Sequence, residues 1–355
     1  MEPSVQITPV PPARLLWFDG LRGVSAIAVV LYHILDAPWI SHGYLAVDVF
    51  FLLSGYVIAG AYEARLRAGL PIGAFLRQRM ARLYPLYLFG IGLGVVRFLY
   101  IGRPPVSTLT TLVGSLGFVH LPIPESAAMF PLNGAMWSLA LEVIVNLLYA
   151  AGGWRLSSRW LVAIVSAAGV LVAVTSLEHG GSNLGAMADG LNIAGGYARV
   201  LFGFPLGVLL FRLHRSGVLR RRLPPLLSGG VIMASVAVIY VFPASPPLGV
   251  AVDLVAILLL FPLLVAQLIL AKQPIGLIGR GCDGLGRLSY PLYAVHKPLI
   301  AFVTLAPPLG AATTFGLCVA ITIGVALLAH LTVEPIGRRM IRNLAFRPAR
   351  LRTAG

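Results

Sequence analysis

Apolar residues fill this chain in long blocks instead of alternating with polar ones. The blocks fall at about 17–36, 43–62, 83–101, 134–151, 160–177, 192–211, 226–242, 249–270, 288–305 and 311–332. A helix that crosses a hydrocarbon layer needs about 20 mainly apolar residues, so each block reads as a membrane span. The polar segments between them differ in a regular way. Arg14 and Arg22 precede or begin the first block, and the bend after it, 37–42, has no lysine or arginine. Arg65, Arg67, Arg77, Arg79 and Arg82 follow the second block, Arg155 and Arg159 the fourth. Arg212, Arg215, Arg220, Arg221 and Arg222 follow the sixth, and Lys272, Arg280 and Arg287 the eighth. The tail closes with Arg338, Arg339, Arg342, Arg347, Arg350 and Arg352. Only Arg97, Arg103, Arg199 and Lys297 fall outside this alternation. Basic loops are retained in the cytoplasm. The pattern therefore predicts an all-α, polytopic integral membrane protein with about ten transmembrane helices and both termini cytoplasmic.

Composition agrees with this reading. Of 355 residues, 58% are hydrophobic and 11% charged, against about 25% charged in a soluble domain. A net charge of +15 would point to nucleic acid in a soluble chain. Here the basic loops account for it, and no nucleic-acid partner is expected. Cys282 and Cys318 offer neither metal spacing nor a disulfide framework, so no metal is expected. No internal repeat or second domain is visible. The chain reads as one membrane-embedded domain over 1–355, with a proline-rich, disordered lead at 1–13 and a basic cytoplasmic tail at 340–355. The first block reads as an uncleaved anchor, because the lead has no basic residue before Arg14. The longest loop, 102–133, is external and rich in proline. It is open to two readings, a lid or acceptor-binding edge and a re-entrant apolar turn through LTTLVGSLGFV.

Ionisable groups inside spans cost about 3 kcal/mol each at the membrane centre and are functional candidates. Arg22 and His33 share the first span, roughly 16 Å apart along a helix axis. The second span opens with Asp48 near its outer end, and the fourth carries Glu142 near mid-depth. An imidazole and two carboxylates in one stratum suggest an acid–base site. The bland alternatives are a histidine satisfied by a carbonyl and a hydrogen-bonded core carboxyl. On the cytoplasmic side, Arg79 and Arg82 share one helical face, suited to phosphate oxygens, although basic loops alone also explain them. The ninth block places His296 and Lys297 at mid-depth above Tyr290 and Tyr293, where Pro298 frees a carbonyl that either cation could use. Ser54 reads as a small packing residue. Arg199 is expected to have a partner, Asp253 is open to solvation, and Glu334 reads as a solvated charge where Pro335 ends the last span.

Several of these positions form ordered motifs. FDGLRGVSAIAVVLYH followed by VDVFFLLSGYVI resembles the opening of the membrane acyltransferase-3 family, acyl-CoA-dependent O-acyltransferases of surface polysaccharides and related glycosides. That family's Arg-x10-His motif falls on Arg22 and His33, and its Asp-x-x-Phe-x-x-Ser-Gly segment on Asp48, Phe51, Ser54 and Gly55. Its paired arginines fall on Arg79 and Arg82, and its Trp-Ser-Leu-x-x-Glu segment on Trp137, Ser138, Leu139 and Glu142. Ser289, Tyr290, Leu292, Tyr293, His296 and Pro298 match a further motif. The terminal Glu-x-Pro pattern is met only in part, since Glu334 directly precedes Pro335, and Gln78 stands where an arginine is usual.

The resemblance implies a multi-pass protein of the bacterial inner membrane. It would transfer an acyl group, most simply acetyl from acetyl-CoA, to a hydroxyl of a carbohydrate or glycosylated acceptor presented at the lipid surface. His33 would be the general base, oriented by Glu142 or Asp48, and Arg22, Arg79 and Arg82 would hold the CoA. Trp137, Ser138, Tyr290, His296 and Lys297 would bind substrate or form the polar framework. No GxSxG nucleophile is present, which favours direct transfer over an acyl-enzyme, with an acyl-histidine left open. The competing reading is a proton-coupled secondary transporter using the same buried charges.

Overall fold

A computed structural model describes residues 15–34, 40–222, 227–243, 248–305 and 310–345. The lead at 1–13 and the end of the basic tail lie outside them. Among the described residues the chain is helical, with two isolated bridges, Ile123 with Ser126 and Ala128 with Met187, and no strand.

The helices are α1 (Leu16–His33), α2 (Ala46–Arg67), α3 (Ile72–Tyr100), α4 (Pro105–Leu116), α5 (Met136–Ala151), α6 (Ser158–His179), α7 (Gly190–Arg215), α8 (Val218–Arg222) and α9 (Gly229–Val241). Then come α10 (Leu248–Val255), joined through a π-helical turn at Ala256–Leu260 to α11 (Phe261–Leu270), followed by α12 (Gly276–Val303), α13 (Ala311–Leu331) and α14 (Val333–Ala345). Each apolar block of the sequence falls on a helix. Six helical stretches are long and apolar enough to cross a membrane: Gly43–Arg67, Ile72–Tyr100, Ser158–His179, Gly190–Arg215, Leu248–Leu270 and Ala311–Met340. Met136–Ala151 and Gly229–Val241 are shorter apolar helices. Two further helices, α1 and α12, carry much of the polar chemistry.

Local sequence sets several boundaries. The Asp189 side chain caps α7 by accepting the backbone N–H of Asn192 at 2.9 Å, which satisfies a donor otherwise orphaned at a helix start. Pro105 opens α4 at the position where a missing N–H costs nothing. Gly180 ends α6 in the left-handed conformation, φ 76°.

Two parallel helix pairs organise the bundle. Along α1 and α12, Gly20 faces Cys282, Gly23 faces Leu285, and His33 meets Lys297. The nearly constant register shows that the two helices run side by side in the same direction. A Cβ on Gly23 would lie 2.4 Å from the Leu285 side chain, so only glycine permits this approach. Along α2 and α7, Asp48 faces Arg199, Gly55 faces Phe204 and Gly60 faces Phe211. A Cβ on Gly55 would lie 2.0 Å from the Phe204 carbonyl oxygen. Small residues thus let backbones touch, the usual means of packing helices in lipid.

The segment 102–133, open from sequence to a lid or acceptor-binding edge and to a re-entrant turn, folds back along α3. Helix α4 packs back along α3, and its last carbonyls accept from tyrosines well down that helix. Tyr84 donates to Leu116 at 2.8 Å and Tyr87 to Ser115 at 2.5 Å. The chain then reverses at Phe118, φ 57°, whose ring stacks on Tyr87 at 4.4 Å.

Candidate active site

Among the described polar groups are the lining of a cavity, a buried cluster of His33, His296 and Lys297, the buried Asp48–Arg199 ion pair, and a buried hydrogen bond between His42 and Asp253. The cavity encloses about 830 Å³ of empty space, its open mouth included. Arg22, Arg79, Arg82, Tyr290, Ser54, Ser138, Glu142 and Tyr293 are among the residues that line it. Arg22, Arg82 and Tyr290 also line a wider vestibule of about 1290 Å³, to which Arg287, His330 and Arg338 contribute. The two spaces therefore share a basic neck. Within the vestibule Glu334 is bonded to His330 at 2.7 Å and to Arg338, so it is part of the vestibule wall and not a solvated terminus.

Helix periodicity supplies the cavity's inner wall. Ser138 and Glu142 are four residues apart on α5, hence on one face. The same rule stacks Tyr290, Tyr293 and the pair His296 and Lys297 along α12. Tyr293 is hydrogen-bonded to Ser138 at 2.6 Å and donates to the Ala135 carbonyl at 2.9 Å. Tyr290 donates to the Leu83 carbonyl at 2.6 Å.

Glu142 does not orient His33 here. Its Oε1 accepts from Arg79 Nη2 at 2.9 Å and from the Ser54 hydroxyl at 2.7 Å. The carboxylate read from sequence as the histidine's companion is bound to an arginine read as part of the other face. Ser54 is likewise more than a packing residue, and its neighbour Gly55 does the packing. Arg79 is buried, and its Nε lacks a partner among the described residues. Arg22 lies 3.8 Å from Asp19, a loose pairing in the neck.

Asp48 is engaged elsewhere too. It takes two hydrogen bonds from Arg199, Nε to Oδ1 at 3.0 Å and Nη2 to Oδ2 at 2.7 Å. Arg199 is 2% exposed. It also donates to the carbonyls of Leu184 and Tyr44, and sits 5.5 Å over the Trp137 ring. Trp137 is thereby part of the framework around this ion pair. Asp253 is not solvated. It accepts from His42 at 2.7 Å, from the Tyr44 hydroxyl at 2.6 Å and from the Ser182 backbone at 2.8 Å. The partners of Asp48 and Asp253 lie between 71 and 211 residues away in sequence, which hides them from a linear reading.

His33 stands with α12. Its Nδ1 is 3.1 Å from Lys297 Nζ, and its ring stacks on His296 at 5.4 Å with an interplanar angle of 19°. Tyr293 bridges the two regions, since its ring lies 5.6 Å from that of His296 while its hydroxyl reaches Ser138 in the cavity wall. The carbonyl that Pro298 frees is that of Ala294. Asn133 Nδ2, from the segment after α4, donates to it at 2.7 Å. His296 Nδ1 instead donates to the Tyr293 carbonyl at 2.9 Å. Among the described residues no group of His, Cys, Asp or Glu is arranged to hold a metal.

A multi-pass helical membrane protein with a basic neck leading to buried tyrosine and serine is thus defined. Residues 15–331 match the acyltransferase domain model, known as acyltransferase-3, and the chain belongs to that family. It is 38% identical to "Protein 2 in picA locus" of Rhizobium radiobacter over 191 residues, 47% of this chain and 97% of that protein. It is 28% identical to "Acyltransferase MdmB" of Streptomyces mycarofaciens over 323 residues, 82% of this chain and 81% of that one. It is also 31% identical to "O-acetyltransferase OatA" of Staphylococcus aureus over 150 residues, 39% of this chain and 24% of that longer protein. No solved structure matches.

Proposed function

We propose that the protein transfers an acyl group, most simply acetyl, from a cytoplasmic acyl-CoA to a hydroxyl of a carbohydrate or glycosylated acceptor. The observation that carries this reading is the shared basic neck. Arg22 and Arg82 line both the wide vestibule and the inner cavity, and Tyr293 stands between that cavity and the His33 cluster. CoA is a polyphosphate with a long, thin arm. Guanidinium groups at a mouth suit its phosphates, and a narrow passage toward Ser138 and Tyr293 suits the arm and its thioester. Arg79 is a further guanidinium in the lining of the passage.

His33 then serves as general base on the far side of Tyr293, where the acceptor hydroxyl arrives. Attack on the thioester carbonyl is direct, without an acyl-enzyme. The protein spans the bacterial inner membrane ten times with both termini cytoplasmic. The six long apolar helices, the two shorter ones, α1 and α12 provide enough elements for that count. An O-acetyltransferase and an acyltransferase among the relatives support the reaction class, and membership of their family favours it over proton-coupled transport.

The test uses the full-length protein in nanodiscs with radiolabelled acetyl-CoA and a panel of glycan and glycoside acceptors. Transfer is expected from the wild type. His33→Ala should lower turnover by about two to four orders of magnitude, the usual scale of a general base, while acyl-CoA binding persists. Near-native turnover in His33→Ala would move the base elsewhere.

A further inference from the structure

If His33 is the base, something must hold the proton on its other nitrogen, and both carboxylates proposed from sequence are committed. Asp48 is chelated by Arg199, and Glu142 by Arg79 and Ser54. The group in contact with the far nitrogen is Lys297, 3.1 Å from Nδ1. An imidazole with two ring nitrogens offers one acceptor and one donor when neutral. An ammonium can only donate. If Lys297 donated, Nδ1 would be the acceptor, the ring proton would sit on Nε2, and no lone pair would face the acceptor alcohol. A base at Nε2 therefore requires the opposite polarity, with Nδ1–H donating to a neutral amine.

We propose that Lys297, as the amine, is the positioning residue that makes His33 a base, taking the place that a carboxylate fills in a Ser-His-Asp arrangement. The inference rests on the acyl-transfer reading above. His296 supports it geometrically. Its own tautomer is set by the Tyr293 carbonyl, which can only accept. Its ring, nearly parallel to that of His33, restricts that ring to one plane. The parallel register of α1 and α12, locked at Gly20 and Gly23, brings Lys297 to His33 Nδ1 and not to a more distant atom.

The proton count closes. The acceptor O–H bond breaks as Nε2–H forms, and the alcohol oxygen bonds to the thioester carbonyl carbon. The resulting imidazolium shares its Nδ1 proton with the lysine nitrogen. When the C–S bond breaks, the Nε2 proton passes to the thiolate sulfur. His33 and Lys297 then return to their starting forms.

The experiment compares Lys297→Met, Lys297→Arg and Lys297→Gln in nanodiscs for kcat and for the KM of acetyl-CoA. An amine acceptor predicts that Met and Arg both lower kcat, by about 100-fold or more as when a base loses the partner that fixes its tautomer, with KM unchanged. Gln, whose amide oxygen accepts, should recover part of the loss. Rescue by Arg, or equal losses in all three, overturns the proposal, because either outcome makes Lys297 a cation or a packing residue. Nitrogen NMR of histidine-labelled wild type reads the tautomer without any substitution. A His33 proton on Nδ1 is expected, and a proton on Nε2 overturns the proposal even if every variant fails to fold. Failure of the acyl-transfer reading is distinguishable, since the wild type itself would then transfer nothing from acetyl-CoA.

Discussion

Asp48 and Arg199 meet in the bundle interior through two hydrogen bonds, at 3.0 and 2.7 Å, between α2 and α7. Removing one partner of such a buried pair leaves an uncompensated charge and costs about 3–5 kcal/mol, whereas replacing both by apolar groups is often nearly neutral. Arg199→Met and Asp48→Leu should each sharply lower the folded yield and the thermal midpoint in detergent. The double variant should recover most of both, and should retain turnover. A double variant that folds well but transfers nothing would return Asp48 to the chemistry.

Arg79 is tied to Glu142 at 2.9 Å inside the cavity, and Arg82 lines the neck. Arg79→Ala with Arg82→Ala should raise the KM for acyl-CoA more than it lowers kcat, because these groups bind ground and transition states alike. Lysine replacements should rescue only in part, lacking the guanidinium fork. Glu142→Gln keeps an acceptor oxygen but removes the charge that strengthens the bonds from Arg79 and Ser54, and should mimic a weaker Arg79 lesion instead of a lost base. Isothermal titration with CoA and initial-rate kinetics separate these outcomes.

Much of the fold was legible because burial in lipid demands long apolar runs, and each run falls on a helix. The pairing of Ser138 with Glu142, and of Tyr293 with His296 and Lys297, on common faces follows from helical periodicity alone. What failed was partner choice. Depth along a span orders residues in one dimension, and Glu142, Asp48 and His33 share a stratum without sharing a side. Azimuth is set by contacts such as Gly55 against Phe204 and Gly23 against Leu285, and a single sequence holds no record of which glycine meets which neighbour. Asp253 and His42 escaped for the same reason, being 211 residues apart.

The basic alternation makes a topological forecast. Reporter fusions within 104–124 and 178–189 should report the external side, and fusions at Arg67 or Arg221 the cytoplasm. The first of these segments includes α4, so a fusion at Arg103, ahead of it, is the cleaner external probe. A cytoplasmic signal from 178–189 would break the alternation and overturn the span count.

Asn133 ties the segment after α4 to the helix that carries His296 and Lys297. Pro298 cannot donate to the carbonyl of Ala294, four residues earlier, and in a membrane interior an unmet carbonyl has no water to turn to. The Asn133 amide supplies that donor at 2.7 Å, while its own Oδ1 accepts the Ala135 backbone N–H at 3.3 Å. Gly90 on α3 makes room, since a Cβ there would lie 2.3 Å from the same Ala294 oxygen. Asn133→Leu should therefore cost about 1–3 kcal/mol, the penalty for leaving a buried acceptor unsatisfied, and lower the thermal midpoint accordingly. Because the orphaned carbonyl lies beside the turn that presents Lys297 to His33, kcat should fall as well, with the KM for acyl-CoA unchanged. Asn133→Gln, which keeps a donor on a longer arm, should recover part of the stability. Loss of stability with kcat per folded molecule intact would show that Pro298 and Asn133 only close a gap in the helix, and leave the geometry at His33 to α1 and α12 alone.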